Sequence, residues 1–291
     1  MKYMNTLVER FTLEKLAYII ANTFRIFRRK KCMQFVILII VCLYLYTWTH
    51  RDNELCKRQK EILQKDARPK PTVVTAFYDI GTFFKGTTNV KRTPDDYINW
   101  MTAFSFLNND VVFYTDSIKY SVLFKSLRKN LLNITKVVYK SRKELWPFTI
   151  LPKIRSVFMQ DGYPRFYPNT VIPDYSAIQH SKYALLEHAI NYGYVDTEYI
   201  CWIDIGAFRD IAGEKRHYHL ELPPELDDSM IGFNWLYQVH PLTMKTEDIF
   251  LQNRVWVAGN AFVGHINTMK HFCVLYNTSV SYFLSKGLAN T

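Results

Sequence analysis

Six short apolar runs, several closing on a carboxylate or a glycine, leave this chain few ways to fold. Thr72–Tyr78 ends at Asp79 and Gly81, Asp110–Thr115 at Asp116, and Glu198–Ile203 at Asp204 and Gly206. Thr135–Tyr139, Met230–Trp235 and Arg254–Ala258 complete the set. Helix-period segments lie between them, notably Pro94–Leu107, Tyr120–Asn130 and Tyr175–Tyr192. Continuous apolar strands separated by helices predict a largely parallel sheet covered on both faces. Ligands of such sheets bind beyond the carboxyl ends of the strands, where Asp79, Asp116 and Asp204 all fall. For any one of them a turn or a helix cap is the alternative reading. Three at one sheet edge point to a site.

The segment Tyr199–Asp210 is the sharpest of these. Its apolar strand delivers Asp204 to the tip, and Gly206 allows a ligand close to the backbone. A carboxylate there suits a hard divalent cation, Mn2+ or Mg2+, which would neutralise a diphosphate leaving group. Arg209 and Asp210 follow, either assisting at the site or, as is commoner for such residues, forming an exposed salt bridge. In Pro173–Ile190 the helical spacing carries Lys182, either a surface lysine or a point charge near a pyrophosphate. In Arg254–His265, Gly259 and Gly264 make a tight turn or leave room for a sugar. Asn260 would then bind hydroxyls and His265 would reach the metal, although a lone histidine is often structural.

The run Cys32–Thr49 (CMQFVILIIVCLYLYTWT) carries no formal charge. At about 1.5 Å per residue such a helix covers most of a ~30 Å hydrocarbon layer. Tyr44, Tyr46 and Trp48 gather at one end, where amphipathic rings favour the headgroup region. No small-residue cleavage pattern follows it, so an uncleaved anchor is predicted rather than a signal peptide or a buried core helix. The contiguous cations Arg28-Arg29-Lys30-Lys31 precede the run and Arg51 alone abuts its far side. That bias predicts a type II single-pass protein of the Golgi or ER membrane. The cytosolic tail spans 1–31, the anchor 32–50, the stalk 51–71 and a luminal domain 72–291. The sequons at Asn133 and Asn277 are candidate glycan acceptors in such a lumen.

Charge excludes one class of partner. Of the formal net +11, residues 1–31 supply +6, from eight Lys/Arg against Glu9 and Glu14. No dense basic run follows the membrane-flanking segment, so nucleic acid is not an expected partner. The five cysteines are too few for a disulfide scaffold. Cys201 and Cys273 are either bridged or two buried thiols.

VVTAFYDIG at 73–81, VVFYTD at 111–116, PDYSAIQHSKYALLEHAI at 173–190, WIDIGAFRD at 202–210 and VAGNAFVGH at 257–265 together resemble the HtrL/YibB family. Its bacterial members are associated with lipopolysaccharide-core gene regions. The resemblance implies a GT-A-like, mostly parallel sheet with flanking helices, and hexosyltransferase-like activity. A nucleotide sugar and a glycan acceptor would be its partners, and the lipid bilayer a third. Thr75, Ala76, Phe77 and Asp79 would cradle the nucleotide, and Asp204 would hold metal and diphosphate, with Gly206 in place of a second carboxylate. Thr82 stands where family members tend to carry arginine. The chain ends at Ala289-Asn290-Thr291, soon after VAGNAFVGH, and the resemblance allows for an acceptor side that continues beyond. The rival expectation is a tethered carbohydrate-binding module or an inactive transferase, which the aromatic content of 16% also suits.

Overall fold

The computed structural model describes residues 69–86, 90–236 and 243–290, together with Tyr46. The predicted tail and anchor, and nearly all of the stalk, lie outside the described residues. The chain divides into Met1–Ala67 and Arg68–Thr291, and all described residues but Tyr46 belong to the second unit. Among the described residues no helix is long and apolar enough to cross a membrane.

In chain order the strands are β1 (Thr72–Ala76), β2 (Phe83–Lys85), β3 (Val90–Arg92), β4 (Val111–Thr115), β5 (Thr135–Tyr139), β6 (Tyr199–Ile203), β7 (Ile231–Trp235) and β8 (Val257–His265). The helices are α1 (Pro94–Met101), α2 (Ile118–Leu127), α3 (Trp146–Thr149), α4 (Leu151–Phe158), α5 (Pro173–Asn191), α6 (Thr246–Leu251) and α7 (Ile266–Ser285). Six strands form one sheet in the order β5-β4-β1-β6-β8-β7, and β2 and β3 form a separate hairpin. Strands β5, β4, β1 and β6 pair in parallel, whereas β8 runs antiparallel to both β6 and β7. The architecture is mixed α/β, a mostly parallel central sheet with flanking helices.

Burial explains the continuous apolar reading of the inner strands. All of β4 is buried, as is β1 up to Ala76, because helices cover both faces. On one face Val74, Val112, Ile200 and Trp202 pack against Leu185 of α5 and Met269 of α7. On the other, Val73, Phe113 and Ile203 pack against Met101 of α1 and Phe124 of α2. Cys201 belongs to the second core and Cys273 to the first, so the sheet lies between them. Both are free, buried thiols.

Strand β8 differs from expectation. It continues past Ala258 to His265, and Gly259 and Gly264 lie inside it rather than in a turn. The reason at Gly264 is packing: a Cβ there would meet Ile231 Cδ1 at 2.5 Å. The hairpin β2–β3 and the 20-residue helix α7 were not anticipated.

Candidate functional site

The parallel strands β1 and β6 end at the same sheet edge, and the segments that follow them frame a cleft. Ala76, Phe77 and Asp79 form one wall, Trp202, Asp204 and Gly206 another. Lys182 comes down from α5, Lys85 and Arg92 enter from the hairpin, and Asn260 closes the side toward β8. Helix α1 supplies Tyr97 and Trp100. Its start is fixed by a capping box, Thr93 Oγ1 accepting from the Asp96 amide at 3.3 Å while the Asp96 carboxylate accepts from the Thr93 amide at 2.7 Å. The Thr93 amide, and the Thr93 hydroxyl donating to the same carboxylate oxygen at 2.9 Å, hold the Asp96 carboxyl below its ordinary pKa.

Asp204 and Lys182 are the centre of the arrangement. Lys182 is only 5% exposed, and its Nζ lies 2.9 Å from Asp204 Oδ1 and 3.1 Å from Oδ2. The same ammonium donates to the Gly259 carbonyl at 2.7 Å. Trp202 Nε1 donates to Asp204 Oδ1 at 2.6 Å. Residues two apart on extended backbone point to one face, which brings the Trp202 indole and the Asp204 carboxylate together beside α5. The Asp204 amide donates to the Asn260 carbonyl at 2.8 Å, tying the tip of β6 to β8.

Four cationic side chains, Lys85, Arg92, Lys182 and Arg209, line the cleft against two carboxylates, Asp79 and Asp204. The balance is positive, so the cleft favours an anion. Crowding of the Lys85 head by the cleft walls holds its pKa below the lysine range, and the neighbouring Lys182, Arg92 and Arg209 add to the effect while Asp204 opposes it. Burial, then the charge of Asp204, pushes the Tyr97 hydroxyl up to about 12. The Arg92 guanidinium lies over the Trp100 ring, 5.2 Å from its centroid.

Several expected site residues take other roles. His265 sits at the far end of the sheet, opposite Tyr199 in register, because β8 runs antiparallel. From the Ile203–Ala261 pair to His265 is four residues, roughly 13 Å along the strand. His265 instead caps α7, its Nδ1 accepting from the Asn267 amide at 3.3 Å. Asp116 does reach the strand tips but does not line the cleft; Arg142 holds it in a two-pronged ion pair, with one contact at 3.0 Å. Thr75 is fully buried within β1, its hydroxyl without a hydrogen-bond partner.

Gly206 lines the cleft and makes room for a ring, since a Cβ there would meet Trp100 at 3.0 Å. Asp79 lines the cleft, yet its oxygens accept from the Gly81 amide at 2.8 Å and from the Tyr120 hydroxyl at 2.6 Å. The turn reading holds for it: Gly81 has φ +76°, which that turn requires. Glu247 and Asp248, carboxylates that precede β8 in the chain, lie on α6 and away from the cleft lining, so neither is placed to act as a base there. Asn133 is exposed, while Asn277 is half-buried in mid-α7 with its sequon hydroxyl, Ser279 Oγ, bonded to the Leu275 carbonyl at 2.8 Å.

Mn2+ or Mg2+ does not fit these side chains. Among the described residues no group of three His, Cys, Asp or Glu gathers to hold a metal. Both oxygens of Asp204 are engaged, and the partner is already a cation. Missed from sequence were Lys85, Arg92, Tyr97, Trp100 and Trp202. The only signal for the first two was a pair of short runs, Phe83–Lys85 and Val90–Arg92, around Gly86, a residue with φ +74°.

Fold and cleft together define an α/β protein with a cationic, ring-lined pocket at the strand tips of a mostly parallel sheet. The family model described as "Bacterial protein of unknown function (HtrL_YibB)" matches residues 69–287, and the chain belongs to that family. It is similar to Protein HtrL of Escherichia coli (strain K12), 24% identical over 231 residues, a match that covers 75% of this chain and 80% of that protein.

Proposed function

We propose that the chain is a hexosyltransferase-like, GT-A-like enzyme that moves a sugar from a nucleotide-sugar donor to a luminal glycan. The observation that carries this reading is the Lys182–Asp204 pair, set at the strand tips among further cations and aromatic walls. Such a donor presents a diphosphate, which needs positive charge, and flat faces that stack on rings. In the transfer, the bond from sugar C1 to the phosphate oxygen breaks and its electron pair leaves with the diphosphate. The acceptor hydroxyl oxygen bonds to C1 and its proton passes to an oxygen of the departing diphosphate. Cations fixed beside the leaving phosphate stabilise the charge as it develops. In this reading Ala76, Phe77 and Asp79 flank the nucleotide, and Asn260 and Gln179 offer amides to sugar hydroxyls.

Asp204→Asn keeps the size of the side chain but removes the charge that holds Lys182. Donor hydrolysis and transfer should fall by about 10²-fold or more, in a protein whose circular dichroism is unchanged. An undiminished rate defeats the assignment.

Residues 32–50 serve, in the same proposal, as a type II anchor that leaves the C-terminal unit in the Golgi or ER lumen. The uncharged run, the four cations before it and the exposed sequon at Asn133 support that placement. Protease added to sealed microsomes should leave the C-terminal unit intact; its digestion with membranes closed contradicts the orientation.

One observation favours a second reading, a tethered carbohydrate-binding module or inactive transferase. Asp79 and Asp204, the carboxylates of the cleft, are both hydrogen-bonded within the protein, so neither stands free to take the acceptor proton. Such a module would bind glycans and ignore the nucleotide.

A further inference from the structure

The ammonium of Lys182 sits against the strand-tip carboxylate of Asp204, the side chain expected from sequence to hold a divalent cation. Its neighbours fix it there: Asp204 at 2.9 Å, the Gly259 carbonyl at 2.7 Å, and a side chain that is 6% exposed along its length. An ammonium has three N–H donors. Asp204 and Gly259 account for two, and the third remains for a ligand in the cleft that Lys182 lines. A divalent ion at Asp204 would have to displace this lysine and strand a buried charge, which is costly. It would also have to enter a cleft where cations outnumber carboxylates four to two.

We propose that Lys182, held by Asp204, replaces the divalent cation, and that the cleft binds diphosphate groups without metal through Lys182, Lys85 and Arg92. This rests on the nucleotide-diphosphate reading above and narrows it to a metal-independent donor site. Arg92 suits the role because its guanidinium, over the Trp100 ring in the cleft wall, carries a planar fork that matches phosphate oxygens. Lys85 suits it because an anion beside a crowded ammonium relieves the repulsion from three other cations. Arg209 is 52% exposed and only loosely paired with Asp210 at 3.8 Å, which leaves it free to add charge at the rim.

The test is calorimetric titration of the full chain with inorganic pyrophosphate, once in EDTA and once with excess Mg2+. Binding in EDTA should be at least as tight as with Mg2+. Lys182→Met should weaken it tenfold or more, and Lys182→Arg should recover part of the loss. Lys85→Met, a change outside both hydrophobic cores, should weaken binding severalfold and keeps the proposal testable should Lys182→Met fail to fold. Binding that appears only when Mg2+ is added, or binding in EDTA indifferent to both substitutions, overturns it. Pyrophosphate bound without metal in a protein that binds no nucleotide sugar would uphold the anion site and sink the transferase. A nucleotide sugar bound only with Mg2+ would do the reverse.

Discussion

Lys182 and His180 lie two residues apart on α5, and their burial has opposite consequences. Lys182 keeps its charge company with Asp204 and a carbonyl. His180 has only a hydroxyl, its Nδ1 2.8 Å from Tyr276 Oη, and burial followed by the nearby Lys182 charge pushes its pKa down to about 4. An unfolded histidine titrates near 6.5. Between those values the unfolded chain binds the proton that the folded chain refuses, so stability rises with pH across this window and is lost as pH falls from about 6.5 toward 4. The swing from this one group is on the order of 3 kcal/mol. His180→Gln, which retains a hydrogen-bonding side chain, should flatten the difference between urea midpoints at pH 7 and pH 4.5. An unchanged difference would show that other groups govern the acid limb.

At the scale of elements, the sequence was most legible where burial is two-sided. Strand β5 matches its expected bounds, and β1, β4, β6 and β7 differ by one or two residues, because Val, Ile and aromatic residues in unbroken runs have few other uses. Glycine was least legible. In β8, Gly259 and Gly264 read as turn or sugar-approach residues, whereas Gly264 is there because Ile231 of the neighbouring strand fills the space of its side chain. That is a property of β7 and β8 together, invisible in either run alone. The same holds for Gly206, whose missing side chain is filled by Trp100 from α1. His265 was misplaced by strand direction. A tip carboxylate on a parallel strand and a tip histidine on an antiparallel one lie at opposite edges, and apolar content does not encode direction. Asp204 and Lys182 were legible as chemistry, one ending an apolar strand and the other on a helix. That they meet each other, rather than a metal, follows from α5 crossing the end of β6, a contact between segments 22 residues apart.

For the whole molecule, the distribution of charge matters more than its sum. Over half of the formal +11 belongs to residues 1–31, outside the described region, while the cleft gains its positive character from four residues spread between 85 and 209. Three of these come from outside the central sheet, from the hairpin β2–β3 and the turn after β6. The α/β core thus fixes one anchored pair, Lys182 and Asp204, and peripheral segments bring the rest of the charge to it. Titration of the full chain with a panel of nucleoside diphosphate sugars, read by heat of binding, tests this account most directly. Saturable one-to-one binding of at least one donor is predicted, weakened about tenfold or more by Lys182→Met and unaltered by Glu247→Gln, an exposed residue of α6. No donor bound, or a donor held equally well once Lys182 is gone, would contradict it.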